Sequence, residues 1–298
     1  MRKGAAPGAT VQDFDMKLVM TLLVRDEDDI VAANIDFHLD RGVDFIIAMD
    51  NLSEDRTPEI LRRYERQGLL CYLHQPEDDY AQHRWVTRMA RLASTQFGAD
   101  WVINGDADEF WWPQHRGLKE VLSEIEPSRG AVSVERTNFL PRPRSRQDFF
   151  ANVMTVRERR SLNDLGTPLR GKVCHRAFPD IEVRQGNHAV SRHGRILPPV
   201  SAPITILHFP TRSYEQFANK IRKGGAAYAR NSDLPPEIGA TWRRLYAAWQ
   251  RGELEARYRA SVLDEAAIDA GLREGRLVLD DRLSRFLRDL TSRRSRTA

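Results

Sequence analysis

The sequence predicts an α/β fold: a mostly parallel central sheet flanked by helices, with a helical extension at the C-terminal end. Three observations predict it. Short apolar runs separated by helix-period patterns recur over residues 17–113, each run ends in polar or acidic residues, and helical patterns dominate after Ser213. Apolar runs without alternation suit strands buried on both faces, as in a parallel sheet with helical crossovers.

"KLVMTLLV" (17–24) is the first such strand; after "RDEDD", Ile30, Ala33 and Phe37 repeat at helical spacing, and Gly42 closes that helix. "DFIIAMD" is the second strand. In "NLSEDRTPEI", Thr57 is expected as N-cap and Pro58 at the first helical position, with Ile60, Leu61 and Tyr64 facing inward and Gly68 ending the element. "LLCYLHQ" is the third strand. A helix from about His83 to Phe97 carries Trp85, Met89, Leu92 and Ala93 on one face and leads to a fourth strand, "DWVIN". Beyond Gly130, "AVSVERTNFL" reads as a strand, the basic loop "PRPRSRQDFF" follows, and residues 170–209 look like short strands between turns. Ser213 suits an N-cap for a helix with Tyr214, Phe217 and Ile221 on one face. No internal repeat is found.

A chain of 298 residues with 41% hydrophobic content can bury a substantial core. Cys71 and Cys174 have no CxxC or Cys/His spacing, which argues against a disulfide framework or a zinc ribbon and fits a reducing compartment. No apolar run approaches the length of a membrane span, and "MRKGAAPGATVQDFD" lacks the hydrophobic segment of a signal peptide, so a soluble, cytoplasmic protein is expected. The net charge of +4 is a small excess over many charges of both signs, and nucleic acid is not expected as a partner. The clusters "LPRPRSRQ", "RERR" and "SRRSRTA" read as solvated loops and a tail, with an anionic substrate or peripheral contact with membrane headgroups left open.

In open α/β sheets, ligands bind beyond the carboxyl ends of the strands. The strands here end in "RDED", "DNLSED", "HQPEDD" and "GDADE", so the acids are expected to converge on one rim. Within "WVINGDADEFWWP" (101–113), Asp106, Asp108 and Glu109 follow a buried strand, where unpaired charge is unfavourable and a cation is needed. Carboxylates without cysteine favour a hard ion, Mg²⁺ or Mn²⁺, which keeps waters and binds substrate phosphates. The spacing is expected to send Asp106 and Asp108 to one side of an extended segment, with Gly105 and Ala107 leaving space beside them. Trp85 and Trp101 read as core; Trp111 and Trp112 read either as core or as stacking surfaces for a sugar or acceptor.

The stretch "LLVRDEDDIVAANIDFHLDRGVDFIIAMDNLSEDRTPEIL", followed by "WVINGDADEFWWP", resembles the nucleotide-sugar glycosyltransferases of the family 2 type. More closely it resembles a subgroup whose pattern runs from an Arg or Lys, Asn or Asp, Glu opening through DN-x-S to a D-x-DEF acidic motif. "LHFPTRSYEQFANKIRKGG" (207–225) resembles that subgroup's later His, aromatic, Pro, Arg, Ser segment. The resemblance implies a Rossmann-like, glycosyltransferase A-type fold; with the helical pattern of the later residues, the expected organisation is a flexible N-terminus (1–16), a glycosyltransferase domain (17–230) and a helical extension with a basic tail (238–298). Within that domain, residues 17–113 would be the nucleotide-binding half and 130–230 the acceptor-side half.

It also implies a nucleoside-diphosphate sugar donor (a UDP- or GDP-sugar), Mn²⁺ or Mg²⁺ as cofactor, and a glycan, lipid-linked or small-molecule acceptor. Val24, Arg25 and Glu27 would border the nucleoside; Asp50, Asn51 and Ser53 would hold the base or ribose; Asp106 and Asp108 would lie at the ribose and the diphosphate-bound metal. His208 would supply a late metal or diphosphate contact, and Arg212 and Lys220 would neutralise the diphosphate. Asp26 stands where many relatives have Asn. Family type implies inversion, which requires a general base; Glu109, Asp164, Asp180, Glu182 and His188 are candidates, with His188 and Glu109 ahead. The expected function is metal-dependent transfer of a sugar to an acceptor hydroxyl. Two alternatives stay open. A nucleotidyltransferase acting on a sugar phosphate would usually carry a Gly-rich basic loop where "VRDEDD" stands, and a non-catalytic protein binding nucleic acid or other anions would not need convergent acids.

Overall fold

A computed structural model of the chain describes residues 16–79, 81–114, 117–143, 148–163, 166–231, 235 and 237–297. Most of the stretch expected as a flexible N-terminus, the candidate base Asp164 and part of the basic loop (144–147) lie outside the described residues.

The first half is built as alternating strand and helix: β1 (Leu18–Val24), α1 (Val31–Asp40), β2 (Phe45–Asp50), α2 (Thr57–Arg66), β3 (Leu70–His74), α3 (Gln82–Thr95) and β4 (Trp101–Asp106). Side chains alternate across a strand, and here both faces are covered. Leu18, Met20, Leu22 and Val24 join the core with α1 and α2, while Val19 joins a second apolar cluster with α3. Parallel pairing sets the order β3-β2-β1-β4, so these four strands open their carboxyl ends on one rim. Trp85 and Trp101 are core residues, as expected.

The second half extends the same sheet. β5 (Glu109–Pro113), α4 (Leu118–Ser123), β6 (Ala131–Asn138), α5 (Phe150–Val153), β7 (Val156–Glu158) and β8 (Lys172–Arg176) come first. β9 (Glu182–Val183), β10 (Val190–Arg192), β11 (Arg195–Ile196) and β12 (Val200–His208) follow, then α6 (Tyr214–Arg230), α7 (Ala240–Gln250), α8 (Leu254–Ser261), α9 (Glu265–Arg273), β13 (Leu277–Leu279) and α10 (Arg282–Thr297). The large sheet has the order β3-β2-β1-β4-β8-β6-β12-β5. β12 runs parallel to β6, whereas β8 is antiparallel to both neighbours and β5 antiparallel to β12. The architecture is thus a mixed, mostly parallel sheet flanked by helices, with helices at the C-terminal end. α10 returns to the core through Leu283, Leu287 and Leu290. Both cysteines are free thiols, and among the described residues no helix is long and apolar enough to cross a membrane.

Three local expectations are corrected, and one open reading, that of Trp111 and Trp112, is decided. Residues 101–113 form two strands, with a turn at Ala107 and Asp108, and β5 lies at the opposite edge of the sheet because β8, β6 and β12 intervene. Asp106 and Asp108 therefore do not share one side of an extended segment. Gly105 leaves no open space: a Cβ there would lie 2.2 Å from Met20 Cε. Thr57 is the first helical residue rather than the cap; its hydroxyl accepts from Glu27 N (2.9 Å), and Asp55 accepts from Thr57 N (2.8 Å). Trp111 is fully buried, and Trp112 stacks on Phe37 with the Arg41 guanidinium 4.6 Å from its ring, so both are packing residues.

Candidate functional site

The acidic turn is held from beneath by α1. Asn34, fully buried, donates through Nδ2 to Ala107 O (3.0 Å) and Glu109 O (2.8 Å). One turn later His38 donates from Nδ1 to Asn34 O (2.8 Å), which leaves Nε2 to accept from Trp111 N (3.2 Å). Burial holds that imidazole neutral, with a pKa pushed down to about 4.

The ladders then bring in the late segment. β12 pairs His208 with Glu109 of β5 on one side and with Asn138 of β6 on the other, and Phe209 N donates to Asp108 O (2.9 Å). His208 Nε2 thereby stands 3.7 Å from Asp108 Oδ1. Its Nδ1 lies 2.7 Å from Asn138 Oδ1, an acceptor, so Nδ1 carries the proton and Nε2 a lone pair. Burial lowers the His208 pKa well below its ordinary value, against the pull of Asp108, so the ring is neutral. Burial alone would raise the Asp108 pKa, but the charges of Lys220 and Arg212 outweigh it and keep the carboxylate ionised. A carboxylate oxygen and an imidazole lone pair thus face each other, an arrangement that a cation between them would satisfy. The donor set fits Mg²⁺ or Mn²⁺, which bind through one or two protein groups with substrate phosphates completing the shell. Among the described residues no three His, Cys, Asp or Glu side chains form a closed metal cage.

Asp106 has different company. Lys172, 3% exposed, pairs with it and also with Glu109 Oε1 at 3.3 Å. Asn187 Nδ2 reaches Asp106 Oδ1 at 3.3 Å. Glu109 is fully buried, its Oε1 also accepts from Arg136 (3.3 Å), and its Oε2 has no partner. Burial pushes its pKa up to about 7, against the pull of Lys172. Of the two leading candidate bases, Glu109 is thus enclosed between Lys172 and Arg136. His188 is half-buried on the turn over Asp106, its Nδ1 donating to Gly171 O (2.7 Å) and its Nε2 keeping a lone pair. Burial, then Lys172, lowers its pKa to about 4. That turn is strained: Gly186 has φ 76° and Asn187 φ 59°, a region that favours glycine. A Cβ on Gly186 would lie 2.7 Å from the His188 ring. Asp180, in the turn before β9, pairs instead with Arg192 (2.8 Å), and Glu182 with Ser191 (3.0 Å) within the small β9–β11 sheet.

The loop after β1 is tied to α6. Arg212, fully buried, binds Glu27 and chelates Asp29 at 2.9 and 2.8 Å. It is turned inward, and it anchors this loop. Burial pushes the Glu27 pKa up to about 7 against the pull of Arg212 and Lys220. Asp26 adopts φ 54°; its carboxylate accepts from Glu54 N (2.7 Å), Asn219 (2.8 Å) and Lys223. Arg25 pairs with Asp78 (2.6 Å), and Val24 is core. At the end of β2, Asp50 accepts from Tyr72 OH and Ser53 N (both 3.3 Å), Ser53 accepts from Asp26 N (2.9 Å), and Asn51 donates to Glu77 O (2.7 Å). Lys220 reaches the acids from α6, whose start is capped by Ser213 accepting from Gln216 N (3.1 Å).

Sequence reasoning missed Asn34 and Lys172, whereas Gly186 and Asn187, flanking His188, read as a loop over the site, and Asn187 does reach Asp106. Asn34 and His38 stand four apart on the face of α1 that also carries Ile35 and Phe37 inward, and two polar residues on a buried helix face are a readable sign of a hydrogen-bonding task. Lys172 had no such sign, because the sheet order alone brings β8 and its lysine to Asp106.

No family model matches the chain, and no curated protein sequence matches it. Among solved structures, it is similar to residues 1–349 of S. aureus TarS in complex with UDP (13% identity, TM-score 0.39, covering 78% of this chain and 71% of that one). It is also similar to glucosyl-3-phosphoglycerate synthase from Mycobacterium tuberculosis in complex with Mg²⁺ and UDP (16% identity, TM-score 0.28, covering 41% of this chain and 44% of that one). A third likeness is to the WbbM bifunctional glycosyltransferase (12% identity, TM-score 0.28, covering 44% of this chain and 24% of that one).

Proposed function

We propose that the chain is a glycosyltransferase that moves a sugar from a nucleoside-diphosphate sugar, a UDP- or GDP-sugar, to an acceptor hydroxyl with inversion. One observation carries this reading: at the rim where β1, β2 and β4 end, the His208 lone pair faces the ionised Asp108, with the Lys220 ammonium beside them. This is the equipment for a leaving diphosphate. A divalent ion held by Asp108 and His208 would supply neutralisation of the charge that develops as that group departs.

The chain's own residues do the rest. The ends of β1 and β2, closed by the links of Ser53, Asp26 and Asn51, form the nucleoside side. Lys172 and Asn187 orient Asp106 for the ribose. The acceptor oxygen bonds to the anomeric carbon as the bond to the diphosphate breaks, and its proton goes to His188 Nε2. With a pKa near 4, His188 is a weak base that accepts this proton only as the hydroxyl becomes acidic in the transition state. Incubation with a panel of UDP- and GDP-sugars and Mn²⁺ tests the proposal: release of UDP or GDP from one donor supports it, and release from none opposes it.

A further inference from the structure

The two lysines on the acidic turn are held differently. Lys172 is 3% exposed and locked between Asp106 and Glu109. Lys220 is 28% exposed and, among the described residues, is bonded to one carboxylate, Asp108 Oδ2 at 2.7 Å; Glu27 attracts it from farther off, and the ring of Trp242 lies 6.0 Å from the ammonium. The helix that carries it does not depend on this bond. α6 and the residues just before it are fixed to the rim by Arg212 on Glu27 and Asp29, by Asn219 and Lys223 on Asp26, and by Arg230 on Asp78. The Lys220 side chain can therefore swing while α6 stays in place.

We propose that Lys220 is a stand-in cation: it neutralises Asp108 until a divalent ion arrives, and it then yields Oδ2 and carries its ammonium to an oxygen of the incoming diphosphate. The proposal rests on the reading of Asp108 and His208 as the ion's site. Its logic is electrostatic. Asp108 is buried, and as a bare carboxylate it would be strongly unfavourable there. An ion bound beside an ammonium still bonded to the same carboxylate would be repelled by it. Exchange removes both conflicts and leaves a free positive charge where the diphosphate brings negative charge. Trp242 gives the released ammonium a face to rest on. The ion and the diphosphate are thus coupled through one side chain: the ion alone has to displace Lys220, and the ion with diphosphate makes use of it.

Mn²⁺ binding, followed by the loss of the free-ion electron paramagnetic resonance signal, tests this in wild type, Lys220→Met and Asp108→Asn, with inorganic pyrophosphate as the diphosphate probe. Without pyrophosphate, Lys220→Met is expected to bind Mn²⁺ about tenfold more tightly than wild type, the gain from removing one competing ion pair. Pyrophosphate is expected to tighten Mn²⁺ binding markedly in wild type and much less in Lys220→Met. Lys220→Gln, which keeps a hydrogen-bonding group without the charge, serves if the Met variant does not fold. Mn²⁺ affinity unchanged or weakened in the charge-free variants overturns the stand-in role alone. Mn²⁺ binding equally well to Asp108→Asn, or to none of the proteins, overturns the metal site and the stand-in role together.

Discussion

His208 Nε2 lies 3.7 Å from Asp108 Oδ1, with its proton on the far side of the ring against Asn138. Two ladders fix that geometry, since β12 is hydrogen-bonded to both β5 and β6. His208→Ala should therefore lower turnover more than it raises the Michaelis constant for the donor, because the interaction strengthens as charge develops on the leaving group. Steady-state kinetics separate the two. A rise in the Michaelis constant with turnover intact would make His208 a ground-state binding residue.

Glu109 should make stability pH-dependent. Its pKa rises from 4.5 to about 7 in the folded chain, so its contribution is fully present below 4.5 and is lost as pH rises through 7. Glu109→Gln has no proton to lose. Its melting temperature relative to wild type should climb between pH 4.5 and pH 7, a relative gain of up to about 3 kcal/mol above neutrality. Lys172 keeps Asp106 as a partner in that variant. A constant difference across the range would show that Glu109 stays ionised.

Gly186→Ala is a test of the base. The added methyl would lie 2.7 Å from the His188 ring, and φ 76° strains any side chain. Turnover should fall by about tenfold or more, since small misplacement of a reacting group is costly, while nucleotide affinity stays close to wild type. Loss of nucleotide affinity instead would place the turn on the donor side.

Asn34→Ala should destabilise the chain by about 1–3 kcal/mol, since two buried carbonyls of the acidic turn lose their donor. A melting temperature equal to that of wild type would mean that the turn holds itself.

The alternating first half was legible because apolar runs and helix-period patterns are local signals, and β1 to β4 appear where those signals stand. The late histidine was reachable because "ITILHFP" reads as a strand ending at His208. The position of β5 was not legible: "EFWWP" carries no mark that separates continuation of β4 from pairing with β12, and non-local pairing is set by the whole sheet. For the same reason the aromatic pair Trp111 and Trp112 gave no sign of which side it would bury. Arg212 illustrates a further limit. A basic residue after the histidine suits a diphosphate or an acid equally well, and only the fold shows Glu27 and Asp29 waiting for it.

The claim on which the functional reading turns is that Asp108 holds a divalent ion for a nucleoside diphosphate. Calorimetric titration of UDP and GDP into the wild-type protein and Asp108→Asn, each with Mn²⁺ and with EDTA, tests it most directly. The account predicts that wild type binds one of the two nucleotides with Mn²⁺ at least about tenfold more tightly than with EDTA, and that Asp108→Asn loses most of that difference while keeping its fold. Equal, tight binding in Mn²⁺ and EDTA would contradict it.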